Sequence, residues 1–456
     1  MAKPSPFWTH PSVLKLPKAQ DPVAYITQSA RALVFGAIET GWTGPPFDPF
    51  ALADHLELPV VPREDILDAR TVPLAADRLQ IEYNPNRPGA RVRFSIAHEI
   101  AHTLFPDCRD RIRNRVAREH MHEGDWQLEL LCNVAAAEIL MPIGSFPDLK
   151  SQALSIDVLM ELRKQYEVST EALLLRVVRL TDSACTAFCT SRQEQGEAVG
   201  RYRIDYAVGS RSWSYQLPSG TLLPEATVVR ECTAIGFTAK GTERWPEVPQ
   251  AVRAEVVGIP PFPKHRYPRV VGIAYVPDAK SPARPTMTYL RGDATQPRGP
   301  DLRIVCHVVN DRAARWGGGF ALVMRRRFPD VQQDFVSWAE AHRDQFALGQ
   351  GRYCPVDETL AVFSMICQQG YGPSRRPRVR YGAMKTCLEQ LAEIAVRQRA
   401  SVHMPRIGCG QAGGSWAVVS ELIDETLCAR DVPVTVYDLP GAAARSSSTP
   451  GLLFES

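Results

Sequence analysis

The chain has 456 residues, 45% hydrophobic and 23% charged, with a net charge of +3 at pH 7. That length exceeds one ordinary core and implies two to four domains of about 100–200 residues each. The composition is that of a soluble globular protein, and the charge is too mild to argue for direct nucleic-acid binding or a membrane surface.

The opening MAKPSPFWTHPS lacks a basic patch followed by an apolar stretch, so no signal peptide is expected, and no run of 18 apolar residues suggests a membrane span. Eleven cysteines are scattered from Cys108 to Cys428. The odd, dispersed count reads as reduced thiols in a cytoplasmic protein, with Cys185 and Cys189 as separate small core residues.

Residues 22–180 read as mostly helical. Asp21–Glu39 is amphipathic, and Asp48-Pro49 suits a cap and first turn for a helix over Phe50–Leu56. Leu79–Tyr83 alternates as a strand, ended by Asn84-Pro85-Asn86. A helix over Phe94–Phe105 ends at Pro106, and a second over Asp125–Leu140 stops before Pro142. Shorter helices follow at Ile156–Tyr166 and Thr170–Leu180, the latter capped by Ser169.

From 185 to about 280 short strand-like runs appear at Arg201–Val208, Thr227–Glu231 and Val270–Val276, which predict a small β-rich module. Pro277–Thr286 reads as a linker. Beyond it strands (Leu302–Val309, Ala361–Cys367, Ser401–Met404, Val434–Leu439) alternate with helices (Gly319–Phe328, Tyr381–Gln398, Trp416–Arg430), the rhythm of an α/β sandwich. The tail after Pro440 is small and polar, and expected to be disordered.

The most informative motif is His98-Glu99-Ile100-Ala101-His102. On a helix, positions i and i+4 share a face, so both imidazoles can reach one ion. Chance gives roughly 0.02 such matches in a chain of this composition. Glu99 stands where it can take a proton from an activated water and deliver it to a leaving amine. The apolar Ile96, Ala97, Ile100, Ala101, Leu104 and Phe105 imply a buried helix, in which these polar groups need a metal or charge partner. Candidates for a third ligand are Glu119, His120, His122, Glu123, Asp125, Glu129 and Glu138.

Arg93-Phe-Ser-Ile-Ala-His98-Glu-Ile-Ala-His102, with Glu129-Leu-Leu-Cys-Asn133-Val-Ala-Ala-Ala-Glu138-Ile-Leu-Met141-Pro142, resembles the ImmA/IrrE family of metallopeptidases over about residues 25–180. The resemblance implies Zn2+ held by His98, His102 and Glu129, with Glu99 as the catalytic base. It leaves His120 and His122 as solvated loop residues and gives Glu138 a structural role, pairing with an arginine. Cys132 stands where the family usually has alanine, a small swap. The implied activity is cytoplasmic cleavage of a regulatory protein, such as a helix-turn-helix repressor of phage or stress genes. Leu79–Tyr83 would then be the edge strand that pairs with an extended substrate.

In the last third, Arg291-Gly-Asp293 follows a short strand, Cys306-His-Val-Val-Asn310 leads into Trp316-Gly-Gly-Gly319, and His403-Met-Pro-Arg-Ile-Gly408-Cys-Gly-Gln-Ala-Gly-Gly414 joins a strand to a helix. Two glycine-rich loops that each open a helix can wrap a diphosphate with backbone N–H groups. The set resembles a macro domain of the terminal ADP-ribose glycohydrolase branch, over about residues 288–440. The resemblance implies that Asp293 contacts adenine. Gly317, Gly318 and Gly319, with Gly408, Cys409, Gly410, Gln411, Ala412, Gly413 and Gly414, would hold the phosphates, and Asn310 would lie near the distal ribose. That branch uses a lysine and an aspartate where this chain has Gln368 and Ala412, so binding of ADP-ribose is expected rather than hydrolysis by that route. The clusters Arg325-Arg326-Arg327 and Arg375–Arg380 read as solvated surface.

The expected fold is α+β multidomain: a mostly helical zincin-like HExxH domain (1–184), a β-rich middle module (185–286), a three-layer α/β/α macro domain (287–440) and a tail (441–456). The expected function is a zinc endopeptidase acting on a protein substrate, joined to a domain that reads ADP-ribose or an ADP-ribosylated molecule, with no membrane partner. The alternative is an ADP-ribosyl hydrolase whose zinc domain docks a partner.

Overall fold

The computed structural model describes residues 8–18, 20–74, 78–109, 113–114, 125–146, 154–262, 265–277, 287–372, 374 and 376–438. The expected tail, and the linker beyond Pro277, lie outside the described residues. The chain forms two compact units.

The first unit holds residues 1–27, 44–141 and 148–283. It begins with α1 (Pro11–Leu14), the start of α2 (Pro22–Glu39) and α3 (Pro49–His55). The Asp48 side chain caps α3 by accepting the Phe50 N–H at 3.0 Å. β1 (Val60–Pro62), β2 (Ala69–Pro73), β3 (Leu79–Tyr83), α4 (Gly89–His102), β4 (Arg113–Asn114), α5 (Asp125–Leu140), α6 (Ile156–Tyr166) and α7 (Thr170–Leu180) follow. The four strands lie in the order β1-β3-β2-β4.

The expectation that Leu79–Tyr83 is an edge strand is therefore corrected. β3 pairs in parallel with β1 and antiparallel with β2, so both its sides are taken. Alternating hydrophobicity reports which faces of a strand are buried, not how many neighbours it has. Its neighbours, short and each containing a proline, gave no comparable signal.

α4 starts directly after Pro88 and ends at His102, a different span from that expected. The next three residues continue in tighter i→i−3 turns, from Thr103, Leu104 and Phe105 to Ile100, Ala101 and His102.

Also in this unit is the β-rich module: β5 (Cys185–Arg192), β6 (Tyr202–Gly209), β7 (Thr238–Arg244), β8 (Ala251–Ile259) and β9 (Arg269–Tyr275). They form an antiparallel sheet in the order β6-β5-β9-β8-β7 around Phe188, Trp245, Val252 and Val256. The run Thr227–Glu231 is not a strand but a short 3-10 turn over Val228–Glu231. The Thr227 hydroxyl caps it, and Glu243 accepts the Val228 N–H at 3.1 Å. The module is tied to the helices by Glu255, which accepts the Ile156 N–H at 2.9 Å, and by Tyr206, which donates to Glu171 at 2.5 Å.

The second unit holds residues 28–43, 142–147 and 284–456. Its elements are β10 (Thr288–Arg291), β11 (Arg303–Asn310), α8 (Gly319–Arg327), α9 (Pro329–Ala341), β12 (Gly351–Pro355), β13 (Leu360–Gln368), α10 (Tyr381–Gln398), β14 (Ser401–Pro405), α11 (Trp416–Thr426) and β15 (Val434–Asp438). The sheet order is β10-β15-β14-β11-β13-β12, parallel throughout except for β12.

β11 shows why this is a three-layer sandwich. Ile304 and Cys306 face a core shared with Met384 and Leu388 of α10 and Val419 and Leu422 of α11. Val305 and Val309 face the opposite core with Met324 of α8 and Phe335 of α9. A central strand buried on both faces reads as a continuous apolar run.

Two segments from the first third of the chain complete this unit. Phe35 and Ile143 lie in its larger core, Arg31 pairs with Glu425 at 2.5 Å, and Glu39 accepts the Tyr381 N–H at 3.0 Å. At Gly144 the backbone is in the left-handed region (φ 75°), and a Cβ there would come within 2.6 Å of the Val418 Cα.

Candidate functional site

α4 is buried from Ser95 to His102, packed on α5 and β2, so its polar residues must satisfy one another or an ion. His98, Glu99 and His102 are essentially inaccessible. One carboxylate of α5 meets both imidazoles: Glu129 Oε2 lies 3.3 Å from His98 Nε2, and Oε1 lies 4.0 Å from His102 Nε2.

The other edge of each ring is held by α5 one turn further on. His98 Nδ1 is 3.0 Å from Asn133 Oδ1, and His102 Nδ1 is 3.4 Å from Cys132 Sγ. An amide oxygen only accepts, so Nδ1 of His98 carries a proton, and in the neutral ring that a metal requires, Nε2 then presents a lone pair. That lone pair points at a carboxylate, which is also an acceptor, and Nε2 has no hydrogen-bond partner. A cation between them resolves the conflict. Two neutral imidazoles and one carboxylate are a donor set that zinc accepts, so the residues present fit the metal.

His98, His102 and Cys132 also form a cluster of close donors. Cys132 approaches His102 on the Nδ1 edge, whereas Glu129 faces Nε2. The two nitrogen edges of an imidazole diverge, so Cys132 and Glu129 address different edges of this ring. The cysteine-for-alanine swap thus touches the site.

Thr71, on β2, completes the arrangement. Its hydroxyl donates to Glu99 Oε2 at 2.7 Å and lies 3.3 Å from the Glu99 carbonyl oxygen. No sequence signal marks it, because the contact joins a strand to a helix 28 residues away. Of the other candidate ligands, Glu119, His120, His122 and Glu123 lie outside the described residues, and Asp125 opens α5. Glu138 is engaged elsewhere: both its oxygens bind the Arg176 guanidinium, in a pair only 4% exposed at each end.

In the second unit the two glycine-rich loops meet. The first runs from Asn310 at the end of β11 to Gly319, which opens α8 at φ 56°. Asn310 Oδ1 accepts the N–H groups of Arg312 and Ala313 at 2.9 and 2.8 Å, which fixes the turn. The second loop is drawn tight by Gly414 N–H to Gly408 O at 2.9 Å, with Gly408 and Gly413 at φ 72° and 70°. Gln411 lies against the first loop, its Oε1 2.7 Å from where a Cβ on Gly318 would sit.

Ala412 is buried, and its carbonyl accepts the Arg378 and Val379 N–H groups. Cys409 is part-buried, which pushes its thiol up to about 12. Gln368 turns its amide to the Gly370 carbonyl at 2.8 Å. Neither Gln368 nor Ala412 can form a covalent adduct with a sugar or accept a proton from one. Asp293 follows β10 and is exposed, its Oδ1 accepting the Thr295 N–H at 2.9 Å.

Residues 61–178 match the family model of Peptidase_M78, the IrrE N-terminal-like domain. Over 144 residues the chain is 35% identical to the radiation response metalloprotease IrrE of Deinococcus deserti, covering 30% of this chain and 50% of that one. Over 161 residues it is 26% identical to the human ADP-ribose glycohydrolase OARD1, covering 35% of this chain and 96% of that one. A solved macrodomain protein of Streptomyces coelicolor shares 39% identity over 33% of this chain and 98% of that one, with a TM-score of 0.30. The chain spans only 19% and 15% of two chromodomain-helicase relatives, from mouse and zebrafish, that match at 25% and 27% identity. No helix among the described residues is long and apolar enough to cross a membrane.

Proposed function

We propose that this chain, in which an IrrE N-terminal-like domain is joined to a macro domain, is a cytoplasmic zinc endopeptidase that reads ADP-ribose or an ADP-ribosylated molecule. The observation that carries the peptidase reading is the convergence of His98 Nε2 and His102 Nε2 on the two oxygens of Glu129. Zinc held there supplies a Lewis acid and lowers the pKa of water toward about 7.

The chain's own groups do the rest. Asn133 and Cys132 hold the two imidazoles from behind, Glu99 receives the proton of the attacking water at its carboxylate, and Glu99 returns it to the leaving amine. Thr71 donates to Oε2 of the same carboxylate and orients it.

The substrate in this reading is a regulatory protein, such as a helix-turn-helix repressor, cut in a stress or phage response. The macro domain binds ADP-ribose with Asp293 at the adenine, the two glycine-rich loops at the diphosphate and Asn310 toward the distal ribose. Bound ligand would gate cleavage. The test is metal analysis of the purified chain together with proteomics of cells expressing wild type or Glu99→Gln. A fragment present only with wild type, and zinc in both proteins, is the expected result. An unchanged cleavage rate at saturating ADP-ribose would remove the gating.

A second reading, ADP-ribosyl hydrolysis, is favoured by the extent of the OARD1 match, which spans nearly all of that relative. Release of ADP-ribose from a modified substrate by Glu99→Gln would establish it.

A further inference from the structure

Beside the second glycine-rich loop lies a cavity of about 570 Å3, lined by Arg312, Arg376, Arg378 and Arg380 together with Gln369, Tyr371 and their neighbours. No carboxylate is among the described residues that line it. Four guanidinium groups around one small cavity repel one another, an arrangement that favours an anionic occupant.

Two of the four arginines are built into the wall. Arg378 donates to the carbonyls of Gly372 and Gln369 at 3.0 and 3.1 Å, which fixes its guanidinium. Arg380 donates to the Pro377 and Val379 carbonyls and lies 3.4 Å from Glu39. Arg312 is 70% exposed, its nearest carboxylate Asp311 at 3.9 Å. Arg376 is exposed, and among the described residues no carboxylate lies within ion-pair distance of it.

The cavity adjoins both loops assigned above to ADP-ribose. Arg378 and Val379 donate to Ala412 in one, and Asp311 of the other accepts the Gly370 N–H at 2.7 Å. Arg312, two residues beyond Asn310, lines it, so its position relative to the distal ribose rests on the macro-domain reading. Tyr371, 64% exposed, adds a planar apolar face beside the cations. Guanidinium groups match phosphate oxygens, and an exposed aromatic ring beside them suits a stacked base.

We infer that this cavity is a second nucleotide site, distinct from the ADP-ribose cleft, in which the arginines take a phosphate group and Tyr371 stacks the base. The site accepts a nucleotide lying beyond the distal ribose.

The experiment is calorimetric titration of the full-length chain with AMP after saturation with ADP-ribose. The expected result is saturable AMP binding that Arg376→Ala weakens at least tenfold and Tyr371→Ala weakens measurably, while ADP-ribose affinity stays unchanged. These side chains are exposed and substitution leaves the core intact, which circular dichroism checks. AMP binding that vanishes once ADP-ribose is present, or that ignores the arginine substitution, overturns the proposal. If ADP-ribose itself fails to bind while arginine-dependent AMP binding persists, the macro-domain reading falls and the second site stands.

Discussion

The hydroxyl of Thr71 sits 2.7 Å from Glu99 Oε2, so a sheet strand sets the orientation of the glutamate carried by the metal-binding helix. A hydrogen bond to a charged group is worth about 1.5–3 kcal/mol. Thr71→Val should accordingly lower kcat by about 10- to 100-fold with metal content and KM nearly unchanged, and Thr71→Ser should recover most of it. Glu99→Gln should lose about 100- to 10,000-fold and still bind zinc. Steady-state kinetics beside metal analysis separates the two, and a Thr71→Val protein that loses its metal would show that Thr71 supports the fold rather than the base.

Asn133 and Cys132 hold the back edges of His98 and His102. Loss of such a partner typically costs about 10- to 100-fold in metal affinity. Asn133→Ala should fall in that range. Cys132→Ala should cost less, since sulfur is a weak acceptor. Cobalt substitution gives an independent readout: a sulfur-to-cobalt charge-transfer band would place Cys132 on the ion and contradict its role as an orienter.

The Glu138–Arg176 pair is 4% exposed on both sides, so removing one partner strands a buried charge. Glu138→Ala should destabilise the first unit by about 3–5 kcal/mol, measured by denaturant unfolding. The metal affinity of the folded protein should not change, because both Glu138 oxygens bind the Arg176 guanidinium. A large drop in zinc affinity without a stability change would reverse that assignment.

His307 is fully buried on β11, its Nε2 2.9 Å from the Ser364 hydroxyl and its ring against Trp316. Burial lowers its pKa from 6.5 to about 3. The unfolded chain takes up a proton as pH falls through 6.5 and the folded chain does not. The contribution is therefore fully present above pH 6.5 and is lost as pH falls toward about 3, at a slope of up to about 1.4 kcal/mol per pH unit. Thermal melts of the second unit across this range should show that slope, and His307→Gln should flatten it. An equal slope in the variant would assign the effect to other groups.

Gly414 approaches Gly408 so closely that a Cβ would lie 2.8 Å from the Gly408 carbonyl oxygen. Gly414→Ala should force the second loop open and weaken ADP-ribose binding by tenfold or more, about 1.4 kcal/mol, with the sheet intact by circular dichroism. Unaltered affinity would mean that this loop does not hold the diphosphate.

Much of this was legible in the residues themselves. His98 and His102 are four apart on a helix, so their shared face follows from helical geometry alone, and an apolar run such as Leu302–Val309 declares a strand buried on both faces. Short elements were less legible. Thr227–Glu231 has a strand's composition, yet the Thr227 cap and the Glu243 carboxylate turn it into a 3-10 helix.

What the chain order could not decide were the pairings between distant segments. Whether β3 is an edge depends on β1 and β2 finding its two sides, and whether Cys132 matters depends on which edge of His102 faces α5. The same holds for Phe35 and Ile143, far from the carboxy-terminal sheet in sequence and buried in its core. Local sequence fixes periodicity and turn chemistry within an element. Which elements meet is set by burial of their apolar faces, a property of the whole packed chain.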